Sequence, residues 1–199
     1  MMKKGLFFVI VLFFSTILFS SCASYPQAEY DATVAVVNET KAAGADVYVP
    51  EAYKSLADSL QKAEIKLNQE KSKWFKTYKE SKTYLLGVTS FAKDVKAKNE
   101  FRKAELVKEN DGLVAELTQL LVTDNELLSK APKGKGDAEV LVAIRTDISV
   151  IQTSLDEAKG QITASDLLGA NSKLKAAKEK ALTIKAELET AIAKVKGHK

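Results

Sequence analysis

The stretch that decides the fold is Pro50–Leu67, PEAYKSLADSLQKAEIKL. It opens with Pro50 and Glu51, which favour the first turn of an α-helix, because no N–H is needed there and the carboxylate faces the positive helix end. Apolar residues then recur at steps of three and four, at Tyr53, Leu56, Leu60, Ala63 and Leu67. This spacing places them on one stripe of a helix. The stretch therefore predicts an amphipathic helix that packs against other helices.

The same stripe continues beyond this stretch. It runs through Trp74, Tyr78, Leu85, Val88, Ala92 and Val95, and no proline interrupts it before Pro132. The pattern predicts one long helix after Pro50, with a bend or break favoured at Gly87 or at 110–112. Ala, Leu, Lys and Glu dominate the composition, which is typical of long helices, and no alternating strand pattern is found.

Further helices are predicted on both sides of this one. The first covers about 28–43 and ends at Gly44, with 45–49 as a connector. The others cover about 112–129, 138–159 with a stop at Gly160, and a last one to about 196 capped by Thr163 or Ser165. For the leucine-rich 113–128, burial inside the chain is favoured over a surface for a partner helix. The predicted fold class is all-α, an elongated antiparallel helical bundle with coiled-coil-like hairpins.

Two parts of the chain have similar patterns. The apolar series that begins at Tyr53 matches the series Leu167, Ala170, Leu174, Ala177 and Ala181. Each series follows a shorter predicted helix that ends in glycine. A single helical domain over 28–199 is predicted. A duplication into hairpins 28–130 and 137–196 and a chance similarity between two amphipathic helices explain the match equally well.

The N-terminus has the layout of a secretory signal peptide. Lys3 and Lys4 precede an apolar run over 6–19, and Ser20 and Ser21 lead to the chain's single cysteine, Cys22. The run has about fourteen residues, whereas a membrane-spanning helix needs roughly 20. A cleaved signal peptide over 1–21 is therefore favoured over an uncleaved transmembrane anchor.

The segment 18–22, LFSSC, resembles the lipobox of bacterial lipoproteins, with Phe19 where that family usually has leucine. The resemblance implies that Cys22 becomes the mature N-terminus and carries a diacylglyceryl group and an acyl chain. Several acyl chains anchor a protein stably, whereas one does so only marginally. Residues 22–27 would then form a lipidated tether. Ala23 in place of aspartate favours the periplasmic face of the outer membrane over the inner membrane.

The segment 42–52, AAGADVYVPEA, with the leucines and alanines that follow it, resembles the DUF4398 family of bacterial envelope lipoproteins and related proteins. The resemblance covers about 28–105. It implies a helical fold and an envelope location, and no chemistry. The chain departs from the family at 71–84, which is rich in lysine and aromatic residues where relatives are rich in alanine and glutamate.

No constellation of reacting groups is found in the sequence. The only histidine, His198, lies one residue from the end, and Cys22 is the implied lipid site. The sequence therefore offers no Cys–His pair, no Ser–His–Asp set, no zinc-type cluster and no glycine-rich phosphate loop. We predict no catalytic residue, no metal ligand and no cofactor. Without a basic patch interleaved with aromatics, no nucleic-acid partner is expected.

Three aromatic residues form a candidate contact with a partner: Trp74, Phe75 and Tyr78. Trp74 and Phe75 are adjacent, so on a helix they point about 100° apart and cannot both lie at the centre of one stripe. With lysines around them, they suit a contact with a protein or with a membrane surface. Burial of both against a neighbouring helix is the favoured alternative.

The function expected from these observations is non-catalytic. A membrane-anchored scaffold, spacer or adaptor would engage a protein partner or the cell wall through its helical faces. The second hypothesis is a periplasmic chaperone-like clamp for unfolded or lipidic clients, which requires exposed apolar surface and a cavity between helices. An enzyme is the least favoured hypothesis, because it requires a pocket that holds perturbed carboxylates.

Overall fold

The structure, a computed structural model, describes residues 24–132 and 138–196. These ranges contain helices and no strand, which confirms the all-α fold class. The helices are α1 (Gln27–Ala42), α2 (Ala45–Tyr48), α3 (Pro50–Ser72), α4 (Lys79–Lys130), α5 (Ala138–Thr163) and α6 (Leu167–Lys196). The predicted linker after Pro132 and the predicted cap at Asp137 lie outside the described residues.

Packing divides the chain into two compact units, Met1–Glu100 and Phe101–Lys199, and the boundary falls within α4. Each unit has an apolar core of its own. These bounds differ from those of the two predicted hairpins, 28–130 and 137–196. The single helical domain over 28–199 stays a prediction, as does the duplication.

Unit 1 is built from α1, α2, α3 and the first half of α4. Gly44 ends α1 with a φ of 87°, a left-handed conformation that glycine adopts without strain, as predicted. Pro50 begins α3 as predicted, and the connector before it contains the single turn of α2. The core is formed by apolar side chains from all four helices, among them Val37, Ala45, Leu56, Leu67, Leu85, Val88 and Val95.

Unit 2 is built from the second half of α4 with α5 and α6. The leucines of 113–128 that face inward are buried here, which confirms the favoured reading of this stretch: Leu113, Leu117, Leu121 and Leu128. They pack with inward residues of the other two helices, among them Ile148, Ile151, Leu155, Leu174 and Leu188. The unit is thus a three-helix packing of amphipathic faces.

Two predicted helix ends in unit 2 are wrong. Helix α5 runs through Gly160 to Thr163, where the sequence placed its stop at the glycine. The predicted caps Thr163 and Ser165 are not used for α6. Instead, Asp166 accepts a hydrogen bond from the Gly169 N–H at 3.0 Å. The Asp166 carboxylate, in the residue before α6, accepts a hydrogen bond from a backbone N–H of the first turn that has no partner within the helix. It also faces the positive end of the helix dipole. Asp166 therefore takes the capping role that was predicted for the hydroxyl of Thr163 or Ser165.

The predicted long helix after Pro50 is interrupted at a place that the sequence did not indicate. Helix α3 ends at Ser72, and the long helix α4 begins at Lys79 and continues through both Gly87 and Gly112. Neither glycine has a neighbouring atom within 4 Å of where a Cβ would lie. Each costs about 1 kcal/mol of helix propensity, which the buried stripe beside it offsets. The predicted breaks at Gly87 and 110–112 are therefore wrong.

Buried asparagines explain why the helix continues past 110–112. The Nδ2 of Asn110 donates to the Leu167 carbonyl at 3.0 Å, and Asn171 Nδ2 donates to Asn110 Oδ1 at 2.9 Å. In unit 1, Asn99 Nδ2 donates to the Ala43 carbonyl at 3.0 Å, which satisfies one of the free carbonyls at the end of α1. Asparagine is common in turns, and for this reason Asn110 was expected to favour a break. Hydrogen bonds to residues distant in the sequence instead stabilise these asparagines inside helices.

Candidate functional site

The interruption between α3 and α4 forms an exposed aromatic turn, residues 73–78. Trp74 is 90% exposed and Phe75 is 84% exposed, which makes them the most exposed large apolar side chains of the described residues. The favoured alternative, burial of both against a neighbouring helix, is therefore wrong. Apolar side chains of this size gain free energy by leaving water, so their exposure makes the turn the candidate contact surface of the described residues.

Tyr78 does not join this surface. It is 2% exposed and belongs to the core of unit 1. Its φ of 49° is left-handed, a conformation that costs a residue with a side chain about 1–2 kcal/mol. The three predicted contact residues therefore divide into two roles: Trp74 and Phe75 project outward, whereas Tyr78 anchors the turn that presents them.

The contact that holds Tyr78 comes from the start of the described chain. The rings of Tyr25 and Tyr78 lie edge to face, with centroids 5.5 Å apart and an interplanar angle of 82°. The Nζ of Lys71 lies 5.5 Å from the centroid of the Tyr25 ring, within the range of a cation–π contact. The residues just before α1 are thus packed against the exposed aromatic turn. From the sequence, Tyr25 was predicted only as part of a tether, and its packing against Tyr78 was not predicted.

The charge around the turn is positive. Lys71, Lys73, Lys76 and Lys79 occur in nine residues, and no aspartate or glutamate lies between the first and the last of them. All four are exposed. The nearest acid before them, Glu70, is buried and accepts a hydrogen bond from Ser81 at 2.7 Å. Within the described residues, Lys73, Lys76 and Lys79 form no ion pair.

A shallow groove of about 720 Å³ adjoins the turn on unit 1, between α3 and the start of α4. Its walls carry Lys66, Lys79, Glu80, Tyr84 and Phe91. The Nζ of Lys66 lies 5.6 Å from the Tyr84 ring centroid. The groove is open along its length, so it suits an extended surface contact better than an enclosed small molecule.

Unit 2 holds a buried carboxyl group that the sequence did not single out. Asp124 is fully buried, and neither of its carboxylate oxygens has a hydrogen-bond partner among the described residues. Burial raises its pKa to about 6, and Glu189 acts in the same direction while Lys185 opposes the shift. Its burial could have been predicted from its position, because Asp124 lies at helical spacing between Leu121 and Leu128 and therefore on the leucine stripe.

Neither a metal-binding cluster nor a membrane span is found in the part of the chain that the structure describes. No group of three or more His, Cys, Asp or Glu there could hold a metal ion. None of the helices in 24–132 and 138–196 is both apolar and long enough to cross a bilayer. The predicted lipid site Cys22 and the terminal His198 lie outside these residues.

Comparison with known proteins does not identify a relative. No family model, no curated protein and no solved structure matches this chain. The resemblance to the DUF4398 family therefore stays a prediction that rests on residues 28–105.

Proposed function

We propose that the chain is a lipid-anchored protein of the bacterial cell envelope that acts as a non-catalytic scaffold, spacer or adaptor. In this proposal the signal peptide 1–21 directs export and Cys22 carries the lipid. Ala23 favours the periplasmic face of the outer membrane. The helical faces then engage a protein partner or the cell wall, with no nucleic acid and no cofactor involved.

The observation that carries this proposal is the distribution of apolar side chains within each unit. The inward faces of the helices are used for packing, and the outward faces are rich in Lys, Glu and Thr. Ion pairs join neighbouring helices on the outside of unit 2, such as Lys175–Glu109 at 2.7 Å and Lys180–Asp147 at 2.8 Å. Exposed pairs of this kind add little stability, and they show that these outward faces are polar. This arrangement supports a role in surface contacts.

The experiment that tests the adaptor role is cross-linking in cells. A photo-reactive amino acid is placed at exposed Val142 or Val150 on α5, with buried Leu155 as the matched control position. We expect specific adducts with one protein or with wall fragments at the exposed positions and none at Leu155. The adducts should disappear in Cys22→Ser, which lacks the proposed anchor. Recovery of neither a protein nor wall material from the acylated chain would overturn the adaptor role.

The alternative, a chaperone-like or lipid-binding clamp, has one observation in its favour. A partly enclosed apolar pocket of about 260 Å³ lies in unit 2, near Pro132 and between α5 and α6, with Leu141, Ile144 and Leu188 in its walls. Ligand sites usually have roughly 300–1,000 Å³. The pocket is therefore small for a lipidic client, which favours the scaffold.

Binding of an apolar fluorescent dye to the chain 23–199 separates the two functions. A clamp predicts strong dye binding. Ala191→Trp should abolish this binding, because the larger tryptophan side chain fills the 260 Å³ pocket of unit 2. Val150→Trp on the exposed side of α5 is the matched control. A scaffold predicts weak binding that neither substitution changes. Strong, pocket-dependent binding would count against the scaffold.

A further inference from the structure

The aromatic turn and Tyr25, which follows the proposed lipid anchor Cys22 by three residues, lie at the same end of unit 1. Tyr25 packs against Tyr78, and Tyr78 is the last residue of the turn that carries Trp74 and Phe75. Cys22 precedes Tyr25 by three residues. A chain spans at most about 3.6 Å per residue, so the cysteine lies within roughly 11 Å of Tyr25 whatever its conformation. A bilayer that holds Cys22 therefore lies next to the turn.

The chemistry of the turn matches the headgroup region of such a bilayer. Tryptophan is enriched at membrane–water interfaces because its ring is apolar and its N–H is polar. Phe75 adds apolar area beside it. Lys73, Lys76 and Lys79 have no ion pair within the described residues and attract anionic lipid headgroups. Lys82, further along α4, is already paired with Glu29 at 2.7 Å.

We propose that the turn 73–78 is a second, non-covalent membrane contact: Trp74 and Phe75 insert at the headgroup level of an anionic bilayer, and the surrounding lysines bind its phosphates. The inference rests on the proposed function, because the acylated Cys22 brings the bilayer to the turn. A lipid surface is favoured over a protein partner because the turn reaches the anchoring bilayer without any further element. The buried Tyr78 holds the turn in place, so little ordering is needed at the moment of contact.

The test uses the fact that Trp74 is the only tryptophan of the chain. The acylated protein is reconstituted into vesicles of phosphatidylcholine with phosphatidylglycerol, and Trp74 emission is recorded with lipids brominated at different depths of the acyl chain. We expect a blue shift, and quenching strongest for bromine near the headgroup. Replacing phosphatidylglycerol by phosphatidylcholine, or substituting Lys73→Glu and Lys76→Glu together, should reduce the quenching by at least about twofold.

The matched control moves the reporter to the other end of unit 1. Helix α1 has 16 residues and spans about 24 Å, with Tyr25 before it and Val47 after it. Val47 is exposed. The chain with Trp74→Phe and Val47→Trp should show water-like emission and no quenching in the same vesicles. Equal quenching at both positions would indicate nonspecific adsorption and would overturn the inference.

Two readouts separate this inference from the proposed function. The mass of the N-terminal peptide shows whether Cys22 is acylated. An acylated chain whose Trp74 stays water-exposed in anionic vesicles overturns the membrane contact and leaves the lipid anchor in place. An unmodified Cys22 overturns the anchor and the inference together. If Trp74 stays unquenched and Trp74→Ala with Phe75→Ala removes a protein cross-link in cells, the turn is a protein-binding site and the membrane contact is wrong.

Discussion

Asp124 couples the stability of unit 2 to pH. Its pKa in the folded chain is raised from 3.8 to about 6, so the folded state holds this proton more tightly than the unfolded state. Stability from a raised carboxyl pKa is greatest at low pH and falls as pH rises between the two values. The lowered pKa of Glu109, which accepts from Lys175, acts in the opposite direction, but only below its ordinary value of 4.5. Between pH 5 and 7 the effect of Asp124 therefore dominates.

We expect Asp124→Asn to remove the decrease in the free energy of unfolding between pH 5 and 7, which is on the order of 1 kcal/mol in the unsubstituted chain, because the amide has no proton to lose. Urea unfolding at a series of pH values measures this decrease in both chains. Asp111→Asn, an exposed position on the same helix, is the matched control and should leave the slope unchanged. A slope that persists in Asp124→Asn would show that another group is responsible.

The aromatic residues of the turn should differ sharply in their contribution to stability. Trp74→Ala and Phe75→Ala remove exposed side chains, so each should change the free energy of unfolding by less than about 0.5 kcal/mol. Tyr78→Ala removes a buried ring and its contact with Tyr25, and should cost about 3 kcal/mol. Thermal unfolding followed by circular dichroism provides the comparison. A large loss in Trp74→Ala would mean that the ring packs against the protein in solution.

The glycines have different roles in their helices. Gly87 and Gly112 lie inside α4 with open space around the position of a Cβ, so alanine at either should stabilise the chain by up to about 1 kcal/mol. Gly44→Ala should destabilise it, because φ is 87° and a Cβ would lie 3.2 Å from the Tyr48 ring. Urea unfolding of the three variants measures the signs. A destabilising Gly87→Ala would instead point to a close contact at that face.

At the level of elements, the sequence correctly predicted the apolar stripes and the helix boundaries at Gly44 and Pro50. Pro50 and Gly44 act through their own backbone geometry, which is a local property, so their roles could be predicted. The interruption at 73–78 could not, because no glycine or proline lies in it and it depends on the packing of Tyr78 against Tyr25. Asn110 could not be placed either, because its partners Leu167 and Asn171 are distant in sequence.

At the level of the whole molecule, the presence of two separate cores predicts that a substitution in one core destabilises mainly the unit that contains it. Tyr78 belongs to the core of unit 1, whereas Ile151 belongs to that of unit 2. We expect Tyr78→Ala to accelerate amide hydrogen exchange mainly in α1 and α3, and Ile151→Ala mainly in α5 and α6. Mass spectrometry of the exchanged peptides measures both. Uniform acceleration along the chain in either variant would show that the two cores unfold as one.

The candidate site was predictable in part. The pairing of Trp74 and Phe75 with lysines marked a stretch that the structure exposes, because this composition is a property of the sequence. Exposure was not predictable, since Trp74 also fits the helical stripe that predicts burial. The proximity of Tyr25 to the turn follows only from the fold. The sequence thus identified the chemistry of the surface, and the tertiary structure determined its position next to Tyr25.

The contact between Tyr25 and Tyr78 also determines where mechanical force enters the protein. With Cys22 acylated as proposed, a pull between the membrane and a bound partner reaches the fold at Tyr25, because few residues precede it that could extend. The load then passes both into α1 and through the ring pair to the turn before α4. Two helices would share a force that a long flexible tether would otherwise absorb.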